Sequence, residues 1–362
     1  MAAMGGLGGL GGLGGLGTAT AVTARYLASG YQGPPELTLQ RALTEWTADP
    51  WALGFVSLLG GLYLAGVRRV RRSAAPWPPG RIVSFCGLGL GFFVIATMSW
   101  VGVYQGVLFY VRSVQTILLL LVVPLFLAMG RPLTLMIESL PGLGPRAAAG
   151  IRSRAAKVAT FPLITTMVVV IVPFAVYFTP WYAAGFHSVA VRELTYLALM
   201  APGFVFFWTL LRVDPVPRAY PYLVSLWVTG AEVIGDAVLG LAVIADQNLI
   251  AGAYYHALAR HWGPSLATDQ VLGGGTLWVL GDIVGLPFLA AQLIQMIRED
   301  ESDAAAIDAE LDARDAARAA EPPANAAADP GAAGQGGPGD RPWWESDPRF
   351  AGRFQAVDDG GD

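Results

Sequence analysis

The chain has little cysteine, histidine or charge for its length of 362 residues. It contains one cysteine, three histidines and only 14% charged residues. The single cysteine, Cys86, cannot pair within the chain, which excludes a disulfide-stabilised secreted domain. Soluble domains carry roughly 25% charged residues. The scarcity of charge therefore excludes an ordinary soluble enzyme and a protein that binds nucleic acid through a basic surface.

The few charges are unevenly distributed along the chain. The net charge is -4, but the segment from Arg298 onward has 16 acidic and 6 basic residues. Residues 1–297 keep 11 acidic and 17 basic residues, and hydrophobic residues make up 54% of the whole chain. This pattern predicts a basic membrane domain followed by an acidic tail.

The two ends have compositions that favour no packed structure. Residues 5–17 read GGLGGLGGLGGLG, and residues 321–340 are mostly Pro, Gly and Ala, so burial cannot offset the entropy of ordering them. The tail also contains an aromatic patch at Trp343 and Trp344, which is either an incidental apolar segment or a docking peptide. We predict three regions: a flexible arm over 1–36, a membrane domain over 37–297 and a largely disordered acidic tail over 298–362.

Seven apolar segments are long enough to cross a bilayer, for which about 17–25 helical residues are needed. They lie at roughly 51–67, 83–104, 108–129, 158–182, 194–211, 222–245 and 272–297. The sequence therefore predicts an all-α, multi-pass bundle of about seven helices, placed in the plasma membrane and in contact with the lipid bilayer.

The basic residues of the connections alternate between the two sides of this bundle. Loops on one side contain only Arg192 and Arg260. Because basic loops stay in the cytoplasm, we predict an extracytoplasmic N-terminus and a cytoplasmic acidic tail. The loops on the cytoplasmic side contain Arg68, Arg69, Arg71, Arg72, Arg81, Arg131, Arg146, Arg152, Arg154, Lys157, Arg212 and Arg218.

The predicted outer side contains every histidine of the chain. His187, His256 and His261 fall there, with Met98 near the end of the second span. Such side chains are ligands of soft metals such as copper, but exposed loop histidines that bind only water are the alternative. A group of aromatic residues on this side is interpreted as interfacial anchors. These are Trp100, Tyr104, Trp181, Tyr182, Tyr254, Tyr255 and Trp262.

Four ionisable side chains fall within the predicted spans: Arg112, Glu232, Asp236 and Asp282. Such groups face the interior of a bundle, where they are paired or hydrated. A rise of about 1.5 Å per residue puts Arg112 and Asp236 at similar depth, where the two could pair, and we predict that Asp236 or another intramembrane acid balances Arg112. Glu232 and Asp236 are four residues apart and share a helix face. The cluster is either a polar core that fixes helix packing or a proton or ion pathway.

Short motifs recur in order through residues 37–297. They lie at 37–50, 63–69, 77–81, 115–119, 124–126, 130–134, 203–208 and 214–215. The most specific stretch contains Asp269, Gln270, Gly273, Gly274 and Trp278. In this order and spacing, the motifs resemble the CtaG-like family of cytochrome c oxidase assembly factors, the caa(3)-type group, in its actinobacterial form.

The resemblance implies a role in maturing the terminal oxidase, copper handling at the outer face and contact with oxidase subunits. It also implies histidines four residues apart at the start of the third and fifth spans, where they share a helix face and can hold one ion. This chain has Arg112, Thr116, Arg192 and Tyr196 at those four positions. Arginine offers no lone pair, so we expect no copper site there, and the cofactor stays unassigned.

Three functions stay open. The chain is an assembly factor that has lost the shared metal site, or a paralogue that binds an anion, a lipid or a partner protein through Arg112 and Arg192. The third is a transporter or proton-coupled carrier that uses Glu232, Asp236 and Asp282. No nucleophile and base occur at a meaningful spacing, so we predict no enzymatic activity.

The distribution of loop arginines makes the topology directly testable. A reporter fused after residue 362 is expected to respond as cytoplasmic, because the basic loops stay on that side. Reporter activity is compared with a fusion at the N-terminus, which is expected to respond as extracytoplasmic. A tail fusion that responds as extracytoplasmic would contradict the arrangement of seven spans.

Overall fold

A computed structural model describes residues 30–320 of the chain, apart from residues 74–75, 141, 143 and 219. The chain divides into two compact units, Met1–Arg298 and Glu299–Asp362. The glycine-rich repeat and the Trp343–Trp344 patch lie outside the described residues. Within the described part every regular element is a helix, which confirms the all-α prediction.

The helices follow one another through short connections. In chain order they are α1 (Leu39–Thr44), α2 (Pro50–Arg72), α3 (Pro79–Tyr104), α4 (Phe109–Met129), α5 (Pro132–Ser139), α6 (Gly144–Ile151), α7 (Arg154–Ala159), α8 (Pro162–Phe178), α9 (Trp181–His187), α10 (Val189–Leu211), α11 (Tyr222–Ala245), α12 (Gly252–Ala257) and α13 (Leu266–Ala320).

Six of these helices are long and apolar enough to cross a membrane: α2, α3, α4, α10, α11 and α13. Helices α8 and α9 make a seventh span if they are counted together, with a bend of 66° between them. The bend falls where Pro180 precedes α9, since proline lacks the N–H that would continue the helix. The chain is therefore a multi-pass membrane protein of six to seven spans.

Helix α4 lies in the interior of the bundle and packs against α3 and α10. It contains a π-helical turn at Leu118–Val122, and α10 crosses α4 at this turn. Gly203 of α10 is necessary at the crossing, because a side chain there would overlap the carbonyl oxygen of Leu120. The close approach brings the polar residues of α4 next to those of α10.

Two carboxylates fix the ends of helices. Asp49 caps α2 by accepting hydrogen bonds from the N–H groups of Trp51 and Ala52. Asp214 follows α10 and accepts hydrogen bonds from the N–H groups of Leu133 and Thr134 at the start of α5. Such caps satisfy backbone groups that a helix end leaves free, and they attach α5 to the loop after α10.

Asp269 and Gln270, from the motif with the most specific spacing, fasten the start of α13. The Asp269 carboxylate accepts a hydrogen bond from the N–H of Tyr110 in α4 (3.1 Å) and forms a buried ion pair with Arg260 (3.0 Å). The Gln270 side chain accepts a hydrogen bond from the N–H of Ile250 (2.8 Å). It also donates to three carbonyl oxygens, those of Val243, Asp246 and Asn248.

The remaining motif residues lie on α13 where it contacts α4 and α11. Gly274 lies against the Gly240 backbone, and the Cβ of Trp278 lies close to the same glycine. Gly273 faces the ring of Phe109, which a side chain at position 273 would overlap. The motif therefore serves close packing between helices.

Gly273→Ala is expected to lower the free energy of unfolding in detergent by about 1–3 kcal/mol through overpacking. The Phe109 ring cannot move aside easily, because it is buried among the rings of Tyr177, Tyr182 and Tyr255. Gly275→Ala is the matched control, since a side chain there meets no atom within 4 Å, and alanine stabilises a helix by about 1 kcal/mol over glycine. Equal melting temperatures for the two variants would contradict this packing.

Candidate functional site

Arg112 lies near the start of α4 and is only 2% exposed. Its Nη1 donates hydrogen bonds to the side-chain oxygens of Gln105 (2.8 Å) and Gln115 (2.6 Å). The Nε2 of Gln115 donates to the carbonyl oxygen of Ala96 (2.7 Å) and contacts the hydroxyl of Tyr196 (3.4 Å). No carboxylate among the described residues forms an ion pair with Arg112. The acceptors of its Nη1 hydrogen bonds are therefore neutral amides.

The predicted ion pair between Arg112 and Asp236 is wrong. Asp236 lies on α11 and faces α13, where its Oδ2 lies against Gly281 and has no hydrogen-bond partner. Arg112 instead lies 5.9 Å from the ring centres of Tyr182 and Phe186. Equal depth does not make two residues meet, because it says nothing about which side of each helix they occupy.

Three of the four positions at which the family resemblance implies histidines meet in one buried network. Thr116 donates a hydrogen bond to the carbonyl oxygen of Arg112 (3.0 Å), and its hydroxyl lies 3.0 Å from that of Tyr177. Gln115 joins Arg112 to Tyr196. We refer to this network as the Arg112 core; its residues are Gln105, Arg112, Gln115, Thr116, Tyr177 and Tyr196.

Arg192, at the fourth of these positions, has other partners. Its Nη2 contacts the carboxylate of Asp49 at 2.6 Å and that of Glu193 at 3.1 Å. Since Asp49 also caps α2, the ion pair ties the start of α10 to the start of α2. Arg192 therefore stabilises a contact between two spans, and its charge is already balanced.

The Arg112 core does not fit a copper ion. Copper prefers imidazole, thiolate and thioether ligands, and the core contains none of these. The amide oxygens of Gln105 and Gln115 already accept from the guanidinium. Arg112 itself has no lone pair to offer a metal ion.

The three histidines do not assemble into a site. His187, His256 and His261 are exposed. The ring of His187 lies 5.7 Å from that of Tyr254, whereas the ring of His261 lies 5.8 Å from that of Tyr31. Met98 is buried. Within the described residues, no three His, Cys, Asp or Glu side chains are arranged to hold a metal ion.

Several of the aromatic residues that the sequence predicts as interfacial anchors are core residues instead. Tyr104, Tyr182, Tyr255 and Trp262 are all less than a tenth exposed. The hydroxyls of Tyr182 and Tyr255 lie 2.8 Å apart. Burial raises the pKa of Tyr255, so its phenol stays protonated and can donate that hydrogen bond. Of these rings, that of Tyr182 lies 5.9 Å from the Arg112 guanidinium and so borders the Arg112 core.

The three intramembrane acids form a second, separate cluster where α11 meets α13. Glu232 and Asp236 are each 3% exposed. The Asp236 carboxyl lies against Gly281, the neighbour of Asp282 in α13, and the Glu232 carboxyl lies near Gly285. One oxygen of each residue, namely Glu232 Oε1, Asp236 Oδ2 and Asp282 Oδ1, is buried without a hydrogen-bond partner in the described structure. Arg112 and the three acids, which the sequence groups together, thus lie in two different sites.

Sequence reasoning missed the residues that satisfy Arg112. Gln105 and Gln115 are neutral, so the pattern of ionisable residues within the spans does not point to them. The signal that could have found Gln115 is an amide inside an otherwise apolar span, since such a group needs an internal partner. Asp49 precedes Pro50, a typical start of a helix, but its contact with Arg192 depends on the tertiary fold.

Comparisons with known proteins agree with the motifs. The family model of the cytochrome c oxidase caa3 assembly factor, Caa3_CtaG, matches residues 61–299. Uncharacterised proteins of Mycobacterium bovis and Mycobacterium tuberculosis are each 28% identical over 302 residues, which is 81% of this chain and 45% of theirs. An uncharacterised protein of Mycobacterium leprae is 27% identical over 291 residues, covering 78% of this chain and 44% of its own.

The chain spans less than half the length of these curated relatives. No solved structure matches it. The matched region of the family model begins within α2 and ends just after Arg298, so it includes the Arg112 core, the acid cluster and the α13 motif. On this evidence the chain belongs to the family of cytochrome c oxidase caa3 assembly factors.

Proposed function

We propose that this chain takes part in the assembly of cytochrome c oxidase as a non-catalytic protein of the plasma membrane, with oxidase subunits as partners. We further propose that it acts without a metal ion at the Arg112 core. Family membership supports the assembly role. The observation that carries the metal-free role is the buried Arg112 guanidinium, which has two glutamine oxygens as its partners.

A permanent charge at this place opposes the binding of a second cation. Two unit charges 4 Å apart repel by about 4 kcal/mol at an effective dielectric constant of about 20. A metal ion next to Arg112 would therefore need ligands strong enough to offset this repulsion and the loss of the glutamine hydrogen bonds. The side chains of the Arg112 core supply no such ligands.

The lipid-facing sides of the spans offer surfaces for a membrane partner. On α8, Leu163, Met167 and Ile171 are each more than half exposed. Residues four apart share one face of a helix, so these three form an apolar stripe. Such a stripe contacts either lipid or a transmembrane helix of another protein, as contact with oxidase subunits requires.

The acid cluster supports a second candidate, proton- or ion-coupled transport. Its three unpartnered oxygens are unusual inside a membrane, where ionisable groups are costly and commonly functional. The two candidates are separable, because an assembly role that depends on packing alone does not need the acidic protons. A chain with both Glu232→Gln and Asp236→Asn would then still support oxidase assembly.

Double-mutant cycles test which groups balance Arg112. Arg112→Ala and Gln115→Ala are expected to be coupled by about 0.5–3 kcal/mol, because the two side chains share a hydrogen bond. Arg112→Ala and Asp236→Ala are expected to be additive within about 0.5 kcal/mol, since they have no shared partner. Unfolding in detergent measures both cycles. Coupling between Arg112 and Asp236, with additive effects for Arg112 and Gln115, would instead support a pairing of Arg112 with Asp236.

Deletion of the gene is expected to lower the amount of assembled oxidase without lowering transcripts of its subunits. Oxidase spectra and activity measure the amount of assembled oxidase, and transcript levels are measured for its subunits. The wild-type gene and a variant with His187→Ala, His256→Ala and His261→Ala should restore assembly equally, because the role needs no metal held by these histidines. Normal oxidase in a deletion strain without a redundant paralogue would count against the assembly role.

A further inference from the structure

Helix α2 ends in a dense group of basic side chains. Arg68, Arg69, Arg71 and Arg72 are all exposed. Of these four arginines, only Arg71 donates a side-chain hydrogen bond to another described residue, to the carbonyl oxygen of Trp77 (3.2 Å). None of the four forms an ion pair with a described acid. Four unbalanced charges at the end of a membrane span favour an anionic partner.

A lateral groove of about 400 Å³ lies between α2 and α5, with Arg69 among its lining residues. The rest of its wall is almost entirely apolar and includes Leu59, Ala65, Phe85, Leu135 and Met136. The hydroxyl of Tyr63 also lines the groove, but it already donates to the carbonyl oxygen of Gly130 (2.7 Å). The groove therefore suits a hydrocarbon chain, with one cation beside it.

The groove opens toward the bilayer. Leu62 is one of its walls and is 63% exposed, as is Leu58 one turn earlier on α2. A second hollow of about 380 Å³ lies along α2 and is lined by Arg68, Arg71 and Arg72. The basic end of α2 is thus flanked by two hollows, one mainly apolar and one rich in guanidinium groups.

Nearby acids do not cancel this charge. Asp214 lies beside α5, but its carboxylate is occupied by the N–H groups at the start of that helix. Glu138 is exposed on α5 and forms no ion pair within the described residues. A ligand with both a long apolar chain and a negative head would satisfy the groove and the arginines together.

We propose that this site binds one anionic phospholipid, with an acyl chain in the groove between α2 and α5 and the phosphate group held by Arg69 and its neighbours on α2. The site is distinct from the Arg112 core and from the acid cluster. The lipid would fix α5 against α2 and so stabilise this end of the membrane domain.

The test uses the full chain, delipidated in a neutral detergent and mixed with a single lipid. Phosphatidylglycerol is expected to raise the melting temperature and to stay bound at about one molecule per chain in native mass spectrometry. Phosphatidylcholine, which has the same tails but no net charge, is expected to do neither. Inorganic phosphate at the same concentration is expected to give no shift, because it has no tail.

Two variants test the contributions of the lipid headgroup and of the acyl chain separately. Arg69→Gln is expected to weaken phosphatidylglycerol binding by about fivefold, the loss of one cation at a membrane surface. Ala65→Trp is expected to abolish the lipid-dependent shift by filling the groove. Ala65 is exposed, so this variant should melt normally in detergent alone.

The matched control is Arg146→Gln, which removes one exposed arginine on α6, a helix on the same predicted side of the membrane. It is expected to bind phosphatidylglycerol as the wild type does. The proposal is overturned if Arg146→Gln weakens binding as much as Arg69→Gln, since the effect would then be diffuse attraction. It is also overturned if phosphatidylcholine or inorganic phosphate matches phosphatidylglycerol, or if Ala65→Trp keeps the full shift.

Discussion

A polar group buried among membrane helices has no water to bond with, so the protein itself must supply its partners. Arg112 is a strict case, because its guanidinium carries a charge and is almost completely buried. Gln105 supplies one acceptor from the connection before α4, and Gln115 supplies another from the next turn of α4. Through Ala96 and Tyr196, Gln115 then joins α4 to α3 and α10.

The two polar sites within the membrane domain differ in how well their groups are satisfied. In the Arg112 core, side-chain hydrogen bonds join Gln105, Arg112, Gln115 and Tyr196, and Thr116 joins Tyr177 to the carbonyl oxygen of Arg112, which suits a packing role in place of a metal site. In the acid cluster, Glu232, Asp236 and Asp282 each keep an unpartnered oxygen. Groups of that kind are costly to keep and commonly take part in function. The Arg112 core and the acid cluster thus lie on different helices.

The sequence predicts helix positions well because an apolar run of sufficient length has one stable form in a bilayer. It also predicts the family, because the spacing of the Asp269 motif is distinctive. It does not predict which helix faces meet. Arg112 and Asp236 share a depth but not a contact, and this depends on the rotation of each helix about its axis.

Two further differences have the same physical origin. Tyr182 and Tyr255 are amphipathic residues near span ends, where interfacial positions are common, yet tertiary packing buries them. The predicted fourth span is bent between α8 and α9, which hydropathy does not register. Composition indicates whether a segment enters the membrane. Contacts with neighbouring helices determine which face of the helix is buried and where the helix is bent.

Arg112, hydrogen-bonded to two glutamines, occupies a place where the family resemblance implies a metal-binding histidine. The most direct test is the number of copper ions retained per chain after the purified protein is loaded with Cu(I) and passed through a desalting column. We expect far less than one copper ion per chain, and we expect replacement of the three exposed histidines with alanine to remove any copper that is retained. One ion retained per chain, and retained equally in that variant, would contradict it.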